Sequence, residues 1–193
     1  MKRACPLWFK LAYTLMVLLI IPLYWREYGP GNLLWFSDIA LIVLAIALWT
    51  RSRLLVSMMA VGTLLLEFAW LLGFMTGGKL LITGYMFDAS IPLWLRSLSG
   101  FHFILPPLLI FLLYRWGYDQ RALKWQTLLA WIVLPVTFLT TDQENNINWV
   151  FGPGVTQSNF PPLLWLALIM LALPLLVYLP THWVLKRLFK ARD

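Results

Sequence analysis

LLVSMMAVGTLLLEFAWLLGFMT, residues 54–76, carries one formal charge, Glu67, in a run long enough at helical rise to cross a bilayer. Arg51 and Arg53 stand just before it and Gly77-Gly78 closes it. A segment this long and this apolar reads as a membrane span, and the same pattern recurs along the chain. Apolar blocks at 8–25, 33–50, 54–76, 98–116, 123–141 and 162–185 predict an all-α, polytopic membrane helix bundle. The expectation is six transmembrane helices forming a single transmembrane domain over residues 1–193. Gly29-Pro30-Gly31, Gly77-Gly78 and Gly152-Pro153-Gly154 with Pro161-Pro162 punctuate the connections.

Composition leads to the same class. The chain is 61% hydrophobic and 12% charged, with a mean hydropathy of +0.77, far from a soluble globular protein. Cys5 is the sole cysteine, which excludes an intrachain disulfide and a cysteine metal cluster. The opening MKRACPLWFKLAYTLMVLLIIPLYW has the basic and apolar parts of a signal peptide but no small-residue cleavage site. It is expected to stay as the first span.

The net charge of +7 would suit a nucleic-acid partner, but its distribution points to topology instead. Lys2, Arg3, Lys10, Arg51, Arg53, Arg115, Arg121, Lys124, Lys186, Arg187, Lys190 and Arg192 gather at one end of the spans; Arg26, Lys79 and Arg96 lie at the other. The positive-inside rule then places both termini in the cytoplasm of a cell with, we expect, a bacterial inner (plasma) membrane. Membrane lipids are the expected partners and nucleic acid is not. The tryptophans fit two interfacial belts, with only Trp70 and Trp131 well inside a span. Residues 77–97, broken by Gly84, Asp88 and Pro92, form an exterior loop that either lies in the interface or re-enters the bundle.

Polar residues at membrane depth are costly and therefore informative. Asp38, Glu67 and His102 all fall in the outer half of their spans. Asp142 ends the fifth span and begins the polar run TDQENNINW, residues 141–149. We expect these groups to form an acid-rich pocket open to the exterior (periplasmic) face. His102, Glu67 and Asp142 are its candidate catalytic residues, with His102 as base and Asp142 or Glu67 as its partner. Asp38, Asp88, Glu144, Asn146 and Asn148 are candidate substrate or cation ligands. Each has a structural alternative: a helix-start acid for Asp38, a donor to a carbonyl freed by Pro106 for His102, a hydrated loop for the asparagines.

No cofactor is required by this pattern, but a divalent cation held by oxygen ligands is open. The run Asp142, Glu144, Asn146, Asn148 alternates like a calcium loop, yet Ile147 replaces the turn glycine and the terminal glutamate is missing. Two histidines at opposite ends, His102 and His182, cannot supply the three-histidine zinc of alkaline-ceramidase-type lipid hydrolases. Thr140 or Thr141 with His102 would be the pair for an intramembrane threonine–histidine hydrolase. The chain has no P-loop, dinucleotide-binding glycine pattern, GxSxG or HExxH. Three functions follow: acid–base or cation-assisted chemistry on a lipid or lipid-linked substrate, a small transporter or ion-coupled carrier, and an assembly subunit whose exterior loops dock a membrane-protein partner. His182 is expected to face headgroups.

Overall fold

The computed structural model describes residues 5–79 and 81–189. Lys2, Arg3, Lys190 and Arg192, counted above toward the basic end, lie outside them. The described chain is all-helical, with no strand. Its helices are α1 (Leu7–Tyr28), α2 (Phe36–Thr50), α3 (Arg53–Met75), α4 (Leu93–Leu98), α5 (Leu105–Trp116), α6 (Ala122–Thr140), α7 (Pro162–Ala172) and α8 (Leu179–Leu188). Five helical stretches are long and apolar enough to cross a membrane: Leu7–Tyr28, Arg53–Met75, Leu93–Trp116, Ala122–Thr140 and Pro162–Leu188. The sixth, α2, is a shorter apolar helix of 15 residues.

α3 is the central helix and the most buried span; it packs against α2, α5 and α6. Its Gly62 lets the Gln126 side chain of α6 lie directly on the backbone, where a Cβ would overlap the amide. α1 lies on α2, joined by Tyr13 Oη donating to Leu41 O (3.1 Å) and Trp49 Nε1 donating to Thr14 Oγ1 (2.9 Å). Apolar side chains such as Leu15, Leu18, Leu65, Ile132 and Leu176 point outward, as helices solvated by lipid require.

Prolines set the irregularities. α5 begins with Pro106 and Pro107 in its first turn, where their missing N–H groups are tolerated. They cannot bond the carbonyls of the preceding turn, and Ser99–Phe103 winds as a 3-10 turn between α4 and α5. The last span widens into a π turn over Leu173–Tyr178, which contains Pro174. Pro174 strands the Met170 carbonyl, and Trp131 Nε1 of α6 donates to it at 2.8 Å. That bond accounts for one of the two tryptophans placed deep in a span.

The basic end is clasped by a short loop between α5 and α6. Asp119 accepts from Arg121 Nε (3.1 Å) and Nη2 (2.9 Å), and its own N–H donates to Ser57 Oγ (2.9 Å). The Arg121 guanidinium holds the Asp119 carboxyl below the usual carboxylate range. His182, expected at the headgroups, is instead buried, with Nδ1 2.7 Å from Tyr118 Oη. The Tyr118 hydroxyl, from the loop after α5, gives the ring a partner inside the bundle.

Trp131→Phe keeps the ring but removes the donor to Met170 O. It is expected to cost about 1 kcal/mol, read as a lower unfolding midpoint in a detergent melt. An unchanged midpoint would mean that the π turn satisfies the carbonyl by itself.

Candidate functional site

At the end of the bundle opposite the basic residues lies a cavity of about 850 Å³. Its wall is built from the end of α1 (Tyr24, Tyr28), the start of α2 (Ser37, Asp38), Trp70 of α3, the turn carrying Ser99 and His102, and the loop from Asn145 to Val155. Two interruptions create this space. α2 begins late, after a 3-10 segment Pro30–Leu34, and the fourth span bends at Ser99–Phe103.

His102 and Glu67 meet there. His102 Nδ1 lies 2.7 Å from Glu67 Oε2, and both side chains are buried. The imidazole is held flat between two rings: Trp70 stacks at 4.3 Å with an interplanar angle of 15°, and Phe101 at 4.2 Å and 25°. With Nδ1 engaged by a carboxylate that does not line the cavity, Nε2 is the ring nitrogen left for it. A carboxylate on one nitrogen fixes tautomer and orientation and supports positive charge on the ring as the other nitrogen takes a proton. The expected alternative, donation to a carbonyl freed by Pro106, is replaced by this pairing.

Around the dyad runs a hydroxyl network. Tyr24 Oη and Ser99 Oγ are 2.8 Å apart, and Trp70 Nε1 donates to Tyr85 Oη at 3.3 Å. Asp38 is 4% exposed, lines the cavity, and has an Oδ1 with no hydrogen-bond partner. It stands in the first turn of α2, as the helix-start reading expected, and also faces the cavity. Asp38 and Glu67 lie within electrostatic reach of each other.

The other candidates lie differently. Asp142 and Glu144 are exposed and do not line the cavity. Asp142 is therefore not brought to the cavity, and the acid that meets His102 is Glu67. Asp88 is exposed in the turn before α4, where hydrogen bonds from the Ser90 hydroxyl and N–H hold its carboxyl below the usual range. Thr140 and Thr141 spend their hydroxyls on Val136 O and Thr137 O. Among the described residues no group of three or more histidine, cysteine or acidic side chains is arranged to hold a metal.

Asn146 and Asn148 lock the roof. Asn146 Nδ2 donates to Gly152 O and its Oδ1 accepts from Phe151 N, both at 2.9 Å. Asn148 Oδ1 accepts from Phe36 N (3.1 Å) and its Nδ2 donates to Leu34 O (2.7 Å), so one amide fastens the loop to the start of α2. Trp165 Nε1 of α7 donates to Trp149 O at 2.8 Å. These amides are committed to backbone groups, which makes them positioning residues of the roof. The roof is strained: Asn146, Asn148 and Trp149 have φ of 39°, 52° and 60°.

The sequence reading missed Tyr24, Tyr85 and Ser99, and it assigned Trp35 and Trp149 to a membrane belt although both line the cavity. Ser99 stands one helical turn before His102, a spacing that could have flagged it. The tyrosines carry no such signal. Comparison with protein-family models, characterised proteins and solved structures finds no match for this chain.

Gly152 has φ 156°, and a Cβ there would overlap the Val155 carbonyl and the Gln157 nitrogen, backbone atoms that cannot swing aside. Gly152→Ala is expected to loosen the roof by about 1–3 kcal/mol. Hydrogen exchange should then speed up at the Phe151 and Gln157 amides, which are bonded within the loop. Unchanged protection would show that the loop absorbs a side chain there.

Proposed function

We propose that this multi-pass membrane protein is an enzyme of acid–base chemistry on a lipid or lipid-linked substrate, with His102 as general base and Glu67 as the residue that orients it. The carrying observation is the 2.7 Å Glu67–His102 pair, stacked between Trp70 and Phe101 at the wall of the cavity. Nε2 takes a proton from a water or hydroxyl as its oxygen attacks an electrophilic centre, and returns that proton to the leaving group. Glu67 stabilises the imidazolium in between. The substrate would enter with its polar head in the cavity and its chains in the surrounding lipid. The uneven distribution of basic residues supports cytoplasmic termini and a cavity facing the exterior leaflet, as in a bacterial inner membrane.

Purified protein in vesicles of mixed phospholipids, followed by mass spectrometry, should convert one lipid class. His102→Asn and Glu67→Gln are each expected to lower turnover by about 10²–10⁴-fold, the usual contribution of general-base catalysis. Glu67→Gln keeps a hydrogen-bonding group beside the ring, so its unfolding midpoint should change little. Wild-type turnover in His102→Asn would sink the assignment. Ion or solute flux without lipid conversion would replace it with a carrier.

A further inference from the structure

The unpartnered carboxylate oxygen of Asp38 identifies what the cavity is built to hold. Glu67 and Asp119, the other buried acids, have partners: His102 for the first, Arg121 for the second. Asp38 is as buried as these, yet its Oδ1 meets no donor. A buried carboxylate without a donor is destabilising until it takes up a proton or something outside the chain completes it. Among the described residues no lysine or arginine lines the cavity, so the wall holds no permanent cation to neutralise it.

Much of the rest of the wall is aromatic. Tyr24, Tyr28, Trp35, Trp70 and Trp149 line the same space as Asp38. Tyrosine and tryptophan faces carry negative electrostatic potential and attract organic cations, most strongly where water is excluded. Asp38 is the one carboxylate of the cavity wall, and no group of three or more histidine, cysteine or acidic side chains occurs among the described residues. An alkylammonium group needs only one carboxylate and rings around it.

We propose that the cavity binds an alkylammonium group, with Asp38 as its counter-ion and the rings of Tyr24, Tyr28, Trp35 and Trp149 as its walls. This rests on the reading of the cavity as a lipid-substrate site and deepens it: the substrate is a lipid whose headgroup ends in an amine or a quaternary ammonium. The same chemistry would accept a free amine from solution, and the two sources are separable.

The test is a tryptophan-fluorescence titration of the full chain in detergent. Probes are dihexanoylphosphatidylethanolamine, dihexanoylphosphatidylcholine, free ethanolamine, free choline and dihexanoylphosphatidylglycerol. The ammonium lipids should bind at least about tenfold more tightly than the glycerol lipid, and Asp38→Asn should erase about tenfold of that preference. Equal binding of the glycerol lipid by wild-type protein overturns the proposal, and that comparison needs no variant to fold. A folded Asp38→Asn protein with unchanged preference overturns it as well. If the free amines bind as tightly as the lipids, the ammonium site stands and the lipid-enzyme reading fails. His102→Asn separates the two claims from the other side: it should abolish turnover and keep the ammonium preference.

Discussion

A helix of 15 residues rises roughly 22 Å, while the hydrocarbon layer of a bilayer is about 30 Å thick. α2 is such a helix, and its partner in the hairpin, α3, runs for 23 residues. The two share a tight turn at the basic end, so the missing length falls entirely at the other. Something must occupy that gap, and backbone at membrane depth must have its polar groups satisfied or wetted by a cavity. The 3-10 segment Pro30–Leu34 and the loop after α6 do both. Asn148 bonds the last carbonyl of that segment, Leu34 O, and the first amide of α2, Phe36 N. The loop therefore completes a helix end that would otherwise open unsatisfied into the bilayer.

The second break answers the first. Pro106 and Pro107 force the fourth span out of α geometry over Ser99–Phe103, at the same end of the bundle. α3 passes both breaks without interruption and presents Glu67 level with the late start of α2. A hydrogen-bonding carboxylate on a continuous helix, facing a histidine on a bent one, is a more rigid arrangement than two residues on loops would be. The rings of Trp70 and Phe101 remove the remaining freedom of the imidazole.

The helical bundle was legible because apolar runs and glycine–proline punctuation are properties of the chain itself. Glu67 and His102 stood out for the same reason, as polar groups where lipid penalises them. Their pairing was not legible, since it depends on how α3 and the bent span are placed in rotation and height. The polar run at 141–149 misled in an instructive way. Its acids, Asp142 and Glu144, are exposed, while Asn146 and Asn148 serve the backbone. A loop that must hold positive φ at three non-glycine positions favours asparagine for conformational reasons, and the sequence alone cannot separate that need from ligation. Trp131 shows the converse: a residue placed outside the belts proves to serve the Met170 carbonyl left by Pro174.

Glu67 and Asp38 divide the electrostatics of the cavity between them. Glu67 is turned to the histidine and lies behind the wall, where its charge acts on the imidazole. Asp38 lies in the wall itself, where its charge acts on whatever enters. A cation beside Asp38 would leave the Glu67–His102 bond untouched, since Glu67 does not line the cavity. Trp70 belongs to both regions: its indole stacks on His102 and its Nε1 donates to the Tyr85 hydroxyl, and Tyr85 and His102 line the cavity together with Asp38.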